Sequence, residues 1–260
     1  MSSRCLYLCF CFFCAVAMVA GRPACAQTLS IGGTYNTLTI SLTAAGSQTT
    51  YTFSAGAGNV TPSYVNGVQI PALYCLDVEH NINVPATYNA TITDDGDVYE
   101  GSYTGSGSEN YGAIALQASV LQGNTSSGPV ELHFTNAGQI AYLMDKYAST
   151  ASTADQETAL QAAIWSEVYG SQFAFDAADN TAQNWYNTYL TNVGNSPASG
   201  LLWISPTDGS GDHLQALIAS PASSFDPPVP EPGPITMFAS AGFVGIAMLA
   251  RRRRPANSIQ

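Results

Sequence analysis

The chain has 260 residues, a formal net charge of −11, and 7 Lys+Arg against 18 Asp+Glu. Arg4, Arg22 and Arg251 to Arg254 take six of those seven, leaving Lys146 alone in the body of the chain, whereas every acidic residue but Glu231 lies there. A body this acidic lacks the basic footprint that nucleic acid and anionic headgroups demand, so both are disfavoured as partners.

In chain order, Arg4 precedes the apolar run Cys5 to Ala20, and Ala24-Cys25-Ala26 follows before Gln27. These are the n-region, h-region and small-residue cleavage site of a secretory signal, so the mature chain is expected to begin at Gln27, cut after Ala26. Acylation of Cys25 as a lipoprotein is the competing reading, and Arg22-Pro23-Ala24 makes a poor lipobox. Cys5, Cys9, Cys11, Cys14 and Cys25 leave with the signal, so of 6 cysteines only Cys75 remains. A lone cysteine in an oxidising compartment is a reactive thiol, an intermolecular disulfide or otherwise occupied.

About 200 residues follow before the tail, enough for one substantial domain or two lobes sharing one core without disulfide support. From Thr28 to about Tyr103, alternating segments such as Thr37-Leu38-Thr39-Ile40-Ser41-Leu42 and Thr49-Thr50-Tyr51-Thr52-Phe53 are punctuated by Gly, Asn and Ser, which predicts short antiparallel strands. Leu73 to Val78 belongs to them, which puts Cys75 on or at the end of a strand. Asp94-Asp95-Gly96-Asp97 reads as a turn, because the rest of a calcium loop is missing.

After a Gly/Ser-rich stretch the apolar spacing becomes helical, first at Ile140, Leu143, Met144 and Tyr147, then at Leu160, Ile164, Trp165 and Val168. Thr153 with Gln156 predicts a capping box at the start of the second helix, and Gly170 its end. A third helix is expected around Trp185, Tyr186 and Leu190, and returning strands at Leu201 to Ile204 and Leu214 to Ile218. The predicted fold is α+β: an antiparallel, sandwich- or barrel-like β lobe carrying Cys75, with a helical insertion carrying Gln161.

Pro221 to Pro228 reads as an extended linker. Val229-Pro230-Glu231-Pro232, the apolar segment Ile235 to Ala250, and Arg251-Arg252-Arg253-Arg254 follow. This run closely resembles the PEP-CTERM sorting tail of Gram-negative bacteria, which implies recognition by a membrane-embedded exosortase. The apolar segment is short against the roughly 20 residues that span a bilayer. The arginines stay cytoplasmic under the positive-inside rule, placing residues 27–229 outside the inner membrane. An ordinary C-terminal anchor is the alternative. The expected organisation is a signal at 1–26, a domain at 27–220, a linker at 221–229 and a sorting tail with a short transmembrane helix at 230–260.

Two short motifs remain, Leu73-Tyr74-Cys75-Leu76-Asp77 and Leu160-Gln161-Ala162-Ala163-Ile164-Trp165. In this order, strand then helix, they resemble the thioester domains of bacterial surface adhesins. The best-known members are wall-anchored Gram-positive proteins, whereas this tail has the exosortase form. The resemblance implies an internal Cys75–Gln161 thioester and a covalent adhesin that captures an amine or hydroxyl on a host protein or matrix polysaccharide. It implies no cofactor, no metal and no turnover beyond a single self-catalysed acyl transfer. An amide is a poor electrophile, so the fold itself must supply the roughly 7–11 kcal/mol that proximity and orientation provide.

Asp77 projects to the same side of a strand as Cys75 and serves either as a proton relay or in a strand-end hydrogen bond. Tyr74 and Trp165 are candidates for an aromatic wall, with Trp165 one turn beyond Gln161 and equally readable as core. The flanking Leu160, Ile164 and Trp165 put Gln161 on the border of a buried face. Scarcity of lysine suits a protein bearing an amine-reactive group and is equally the composition of acidic secreted proteins. Three rival readings use the same residues: a cysteine hydrolase pairing Cys75 with His80, His133 or His213, a metal site of Asp77, Glu79 and His80, and a structural matrix protein in which Cys75 is merely buried.

Overall fold

Nineteen residues from Cys25 to Thr43 form the longest strand, β1, and β2 (Thr50–Val65) runs back along it from Thr43↔Thr50 to Leu29↔Val65. Hydroxyl pairs Ser41–Thr52 and Thr43–Thr50, at 2.9 and 3.0 Å, lace the exposed face. The register slips between Ile31 and Asn36, where a Cβ on Gly33 would collide with the Thr61 backbone. This bulge bends β1 so that its two halves take different partners: residues 25–31 pair with β5 (Ala86–Thr93) and residues 39–42 with β9 (Phe173–Asp176).

The computed structural model describes residues 25–43, 50–78, 80–100, 118–122, 130–177 and 180–223, all within the unit 24–225. The signal segment before Cys25, the linker beyond residue 223, Pro230-Glu231-Pro232, the apolar tail and Arg251 to Arg254 lie outside the described residues. Because β1 begins at Cys25, the expected cut between Ala26 and Gln27 falls on the first residues of a strand.

Asn66 and Gly67, with φ of 50° and 79°, make the tight primed turn into β3 (Val68–Ile70). Pro71 alone then separates β3 from β4 (Ala72–Cys75). The main sheet has the order β3-β2-β1-β5-β10-β11-β4, with β10 at Leu202–Thr207 and β11 at Leu217–Ser220, and every pairing is antiparallel. Neighbours in sequence, β3 and β4 thus stand at opposite ends of the ladder. The sheet curls until β4 meets β2, where the Asn59 side chain donates to Pro71 O (3.3 Å) and accepts from Leu73 N–H (3.0 Å). Among the described residues the ladder does not close, so the sheet is curled but is not a closed barrel.

A separate sheet of β6 (Asp97–Glu100), β8 (Val130–Phe134) and β7 (Ala118–Gln122) runs in the order β6-β8-β7 and is tied to the first where Tyr99 N–H donates to Ser205 Oγ at 2.8 Å. Asp94 to Gly96 form the expected turn before it, Gly96 at φ 96°. Strands β7, β8 and β9 were not anticipated from the sequence, and β11 starts at Leu217 rather than Leu214, whose N–H bonds Pro206 O instead.

Three helices complete the described residues: α1 (Ala137–Tyr147), α2 (Ala154–Tyr169) and α3 (Asn180–Thr191). The architecture is therefore α+β, a mostly antiparallel sheet with helices. Thr153 and Gln156 form the capping box predicted for α2, satisfying two otherwise orphaned N–H groups, and the helix stops at Gly170 with φ 58°. Every residue from Thr158 to Trp165 is buried. Gln161 is accordingly enclosed, not on a border. Ala159, Ala162 and Ala163 face other parts of the core but carry too little bulk to register in apolar spacing.

Candidate functional site

Strand β4 is the end strand of the ladder, and all four of its residues are buried. One edge pairs with β11, in the register Cys75↔Leu217 and Leu73↔Ala219, and Leu76 N–H continues that edge to Ala216 O at 2.8 Å. Along the other edge no strand ladder forms among the described residues. Unpaired buried backbone groups are costly, about 1–3 kcal/mol each, so something must meet them. Asn59 takes Leu73 N–H. Gln161, from the centre of α2, takes Cys75: its Oε1 accepts from Cys75 N–H at 2.9 Å and its Nε2 donates to Cys75 O at 2.7 Å. The two residues singled out in the sequence, 86 positions apart, are thus joined by a reciprocal pair of hydrogen bonds in a dry site, Gln161 being 0% and Cys75 6% exposed.

Burial, and after it the negative charge of Asp77, pushes the Cys75 thiol up to about 12. At neutral pH the sulfur is therefore a protonated thiol, the reverse of the lowered thiolate that hydrolytic cysteines use. Asp77 is wholly buried and held at both oxygens: Oδ2 accepts from Ala216 N–H at 2.6 Å, Oδ1 from His80 N–H at 2.9 Å, and His80 Nδ1 lies 3.2 Å from Oδ1. Gln215 Nε2 donates to Asp77 O at 2.5 Å, and Val78 N–H donates to Tyr169 Oη at 2.9 Å, so the segment leading into β11 and the end of α2 both grip the loop that leaves Cys75. Asp77 thus makes the strand-end hydrogen bonds foreseen as one of its two readings.

Tyr74 is fully buried, and strand alternation puts its ring on the face opposite the Cys75 side chain. Burial first, then the charge of Glu157, raises its hydroxyl far above the ordinary range. Trp165 is also fully buried, its ring tilted against Phe173 at 6.3 Å. Tyr74 Oη and Trp165 Nε1 have no hydrogen-bond partner among the described residues. Both rings belong to the buried core.

The histidines are dispersed. His80 sits with Asp77, His133 Nδ1 lies 2.5 Å from Asp97 Oδ1 on the small sheet, and His213 stacks on Tyr99 with ring centroids 5.9 Å apart. Among the described residues no three His, Cys, Asp or Glu side chains gather as a metal site, and Glu79 lies outside those residues. Asn59, Tyr169, Gln215 and the Ala216 N–H were missed in the sequence. Each acts through a long-range contact that leaves no local pattern.

Chemically, the carbonyl that a Cys75 thiol would attack already accepts a hydrogen bond from the N–H of Cys75 itself. That donor is aimed at the oxygen on which negative charge develops in a tetrahedral intermediate, and the nitrogen that would leave is held by the same residue's carbonyl. No family model, curated protein or solved structure matches the chain.

Proposed function

We propose that this is an exported covalent capture domain, in which Cys75 and Gln161 condense with loss of ammonia to an internal thioester that later acylates an amine or hydroxyl on a host or matrix partner. The observation that carries this reading is the reciprocal hydrogen-bonded docking of a fully buried carboxamide on the backbone of the sole cysteine in the body of the chain. In the forming step the thiol adds to Gln161 Cδ, the C–N bond breaks, and the thiol proton leaves on ammonia. In the capture step the nucleophile takes the acyl group and Cys75 regains its proton. Preorganisation of this kind is worth roughly 7–11 kcal/mol, and the neighbouring N–H adds electrostatic stabilisation of the oxyanion. The reading puts the domain at the cell surface or in the extracellular matrix of a Gram-negative bacterium, after an inner-membrane intermediate cut by an exosortase near Pro230-Glu231-Pro232, and its support is the resemblance of the two ends to export and sorting signals.

A second reading has its own support. The same two hydrogen bonds give both polar atoms of a buried glutamine a partner and meet an otherwise open strand edge, as a purely structural matrix protein would require. Intact mass separates the two. The purified mature domain is expected to be lighter than its sequence by one ammonia, with no thiol titrated on denaturation until a small amine is added. Full mass and one titratable thiol in fresh protein would leave only the structural reading. Denaturant-resistant conjugates with surface or matrix extracts, formed by wild type and absent from Gln161→Ala, identify capture.

A further inference from the structure

We propose that Tyr169 is the positioning residue of bond formation: by accepting the Val78 N–H, its hydroxyl keeps α2 in register with the chain leaving Cys75 while the Gln161 carboxamide is consumed. This rests on the thioester reading above.

Helix α2 meets the segment 75–78 at two points. Gln161 docks on Cys75 N–H and Cys75 O at 2.9 and 2.7 Å, and Tyr169, the last residue of the helix, accepts from Val78 N–H at 2.9 Å. The two residues stand about 12 Å apart along the helix axis. A single anchor leaves a helix free to pivot about it, whereas two at this separation fix both its direction and its advance along the strand. Both Tyr169 and Val78 are buried, so the second anchor is sheltered from competition by water.

The hydrogen bonds of Gln161 cannot keep this register through the reaction. As the thiol adds and the C–N bond breaks, the nitrogen that donates to Cys75 O departs as ammonia, and the oxygen that accepts from Cys75 N–H passes through a tetrahedral centre. The packing of Leu160, Ile164 and Val168 in the core persists, but apolar burial is non-directional. The Tyr169–Val78 bond contains no reacting atom. Gln215 and the Ala216 N–H also hold the loop, at Asp77, but from the segment leading into β11 and not from the helix that carries Gln161. Tyr169 is therefore the group that ties the cysteine segment to the glutamine helix independently of the glutamine itself.

Ammonia is the probe, because it runs the forming step backwards. It adds to Gln161 Cδ, the C–S bond breaks with its electron pair going to sulfur, a proton from the ammonia follows, and the original carboxamide and thiol return. A matched control is Tyr186→Phe, since Tyr186 Oη donates to Ser166 Oγ on the same helix at 3.2 Å, from α3. Wild type and both Tyr→Phe variants are opened in ammonium buffer and moved to ammonia-free buffer. Loss of titratable thiol and return of the one-ammonia mass deficit then give the closing rate.

Wild type and Tyr186→Phe should close at similar rates, and Tyr169→Phe about 10²-fold more slowly. Opening of closed Tyr169→Phe by ammonia should keep the wild-type rate, because the bond itself then holds the helix; a merely loosened fold would open faster. Equal closing rates in Tyr169→Phe and wild type overturn the positioning role, and so does equal slowing in the two variants. Where closing in wild type is too slow to follow, the closed fraction in freshly purified proteins carries the same comparison. Should Tyr169→Phe fail to fold, hydrogen exchange at Val78 in ammonia-opened wild type decides: the N–H is expected to be protected, and exchange at the rate of an exposed loop overturns the proposal. Absence of the ammonia deficit in wild type is a separate failure that removes the thioester reading itself.

Discussion

Asn59 and Gln161 each hold the free edge of β4 with both ends of a carboxamide, Asn59 on Pro71 and Leu73, Gln161 on Cys75. Asn59 does so from the adjacent strand β2, half-buried, with a short side chain and no reactive neighbour. Gln161 does so from the middle of an enclosed helix, with no exposed atom, beside a cysteine. Closing a strand edge therefore requires only what Asn59 offers. The deep burial, the helix and the sulfur at the Gln161 end exceed that need, and the excess is what a bond between Cys75 and Gln161 would use.

The largest expected effect comes from Gln161→Ala. On the proposed reading the carboxamide nitrogen has already left as ammonia, so the variant loses the one remaining hydrogen bond from Cys75 N–H, about 1–3 kcal/mol, together with the proposed link, which closes a loop worth up to about 4–5 kcal/mol on the chain-entropy model. Denaturant unfolding measures the sum, and a cost no greater than that of Asn59→Ala would erase the distinction between the two amides. Cys75→Ala cannot form the proposed link but retains an intact carboxamide able to make both hydrogen bonds to the residue-75 backbone, so it should cost up to about 4–5 kcal/mol. A loss below about 1 kcal/mol would show that the fold gains nothing from a covalent tie. Asn59→Ala should cost about 1–2 kcal/mol, with the ammonia deficit intact by mass spectrometry.

The smallest effects are in pH, where the two ends separate again. Glu157 accepts a hydrogen bond from the Asn59 backbone, and burial, outweighing that bond, raises its carboxyl. A carboxyl raised on folding contributes stability that is fully present below its unfolded value and lost as pH rises through the folded one. Glu157→Gln should therefore flatten a decline in stability just above the usual carboxylate range. At the other end, protein whose Cys75 has been freed by a small amine carries a thiol raised to about 12. Its stability should fall as pH rises from the ordinary thiol range toward that value, whereas unreacted protein should show no such fall. Thermal melts across pH, before and after amine treatment, read both windows.

Local patterns made part of this legible. Thr153 and Gln156 announce the start of α2, Gly170 its end, and the alternation around β1 and β2 their strands, because each signal acts within a few residues. Strand β8, Val130-Glu131-Leu132-His133-Phe134, alternates as clearly but was overshadowed by the Gly/Ser-rich stretch before it, and β9 is only four residues long. The partnership of Cys75 with Gln161 came from paired motifs and not from spacing. The depth of Gln161 was misread because alanine is compatible with core and surface alike. Asn59 on Leu73 and Ala216 on Asp77 depend on the curl of the sheet, which no window of sequence contains.

The position of β11 has a mechanical consequence. It is the last strand of the described chain, and it is flanked by β10 on one side and β4 on the other. Tension arriving from residues beyond 220 would thus be shared between two ladders, where an edge strand would peel from one. A load entering at an acylated Gln161 would run along the chain through α2, β9, α3, β10 and β11 to that exit, and the chain before Gln161 would share it only through the strands paired with β9, β10 and β11, β4 with Cys75 among them.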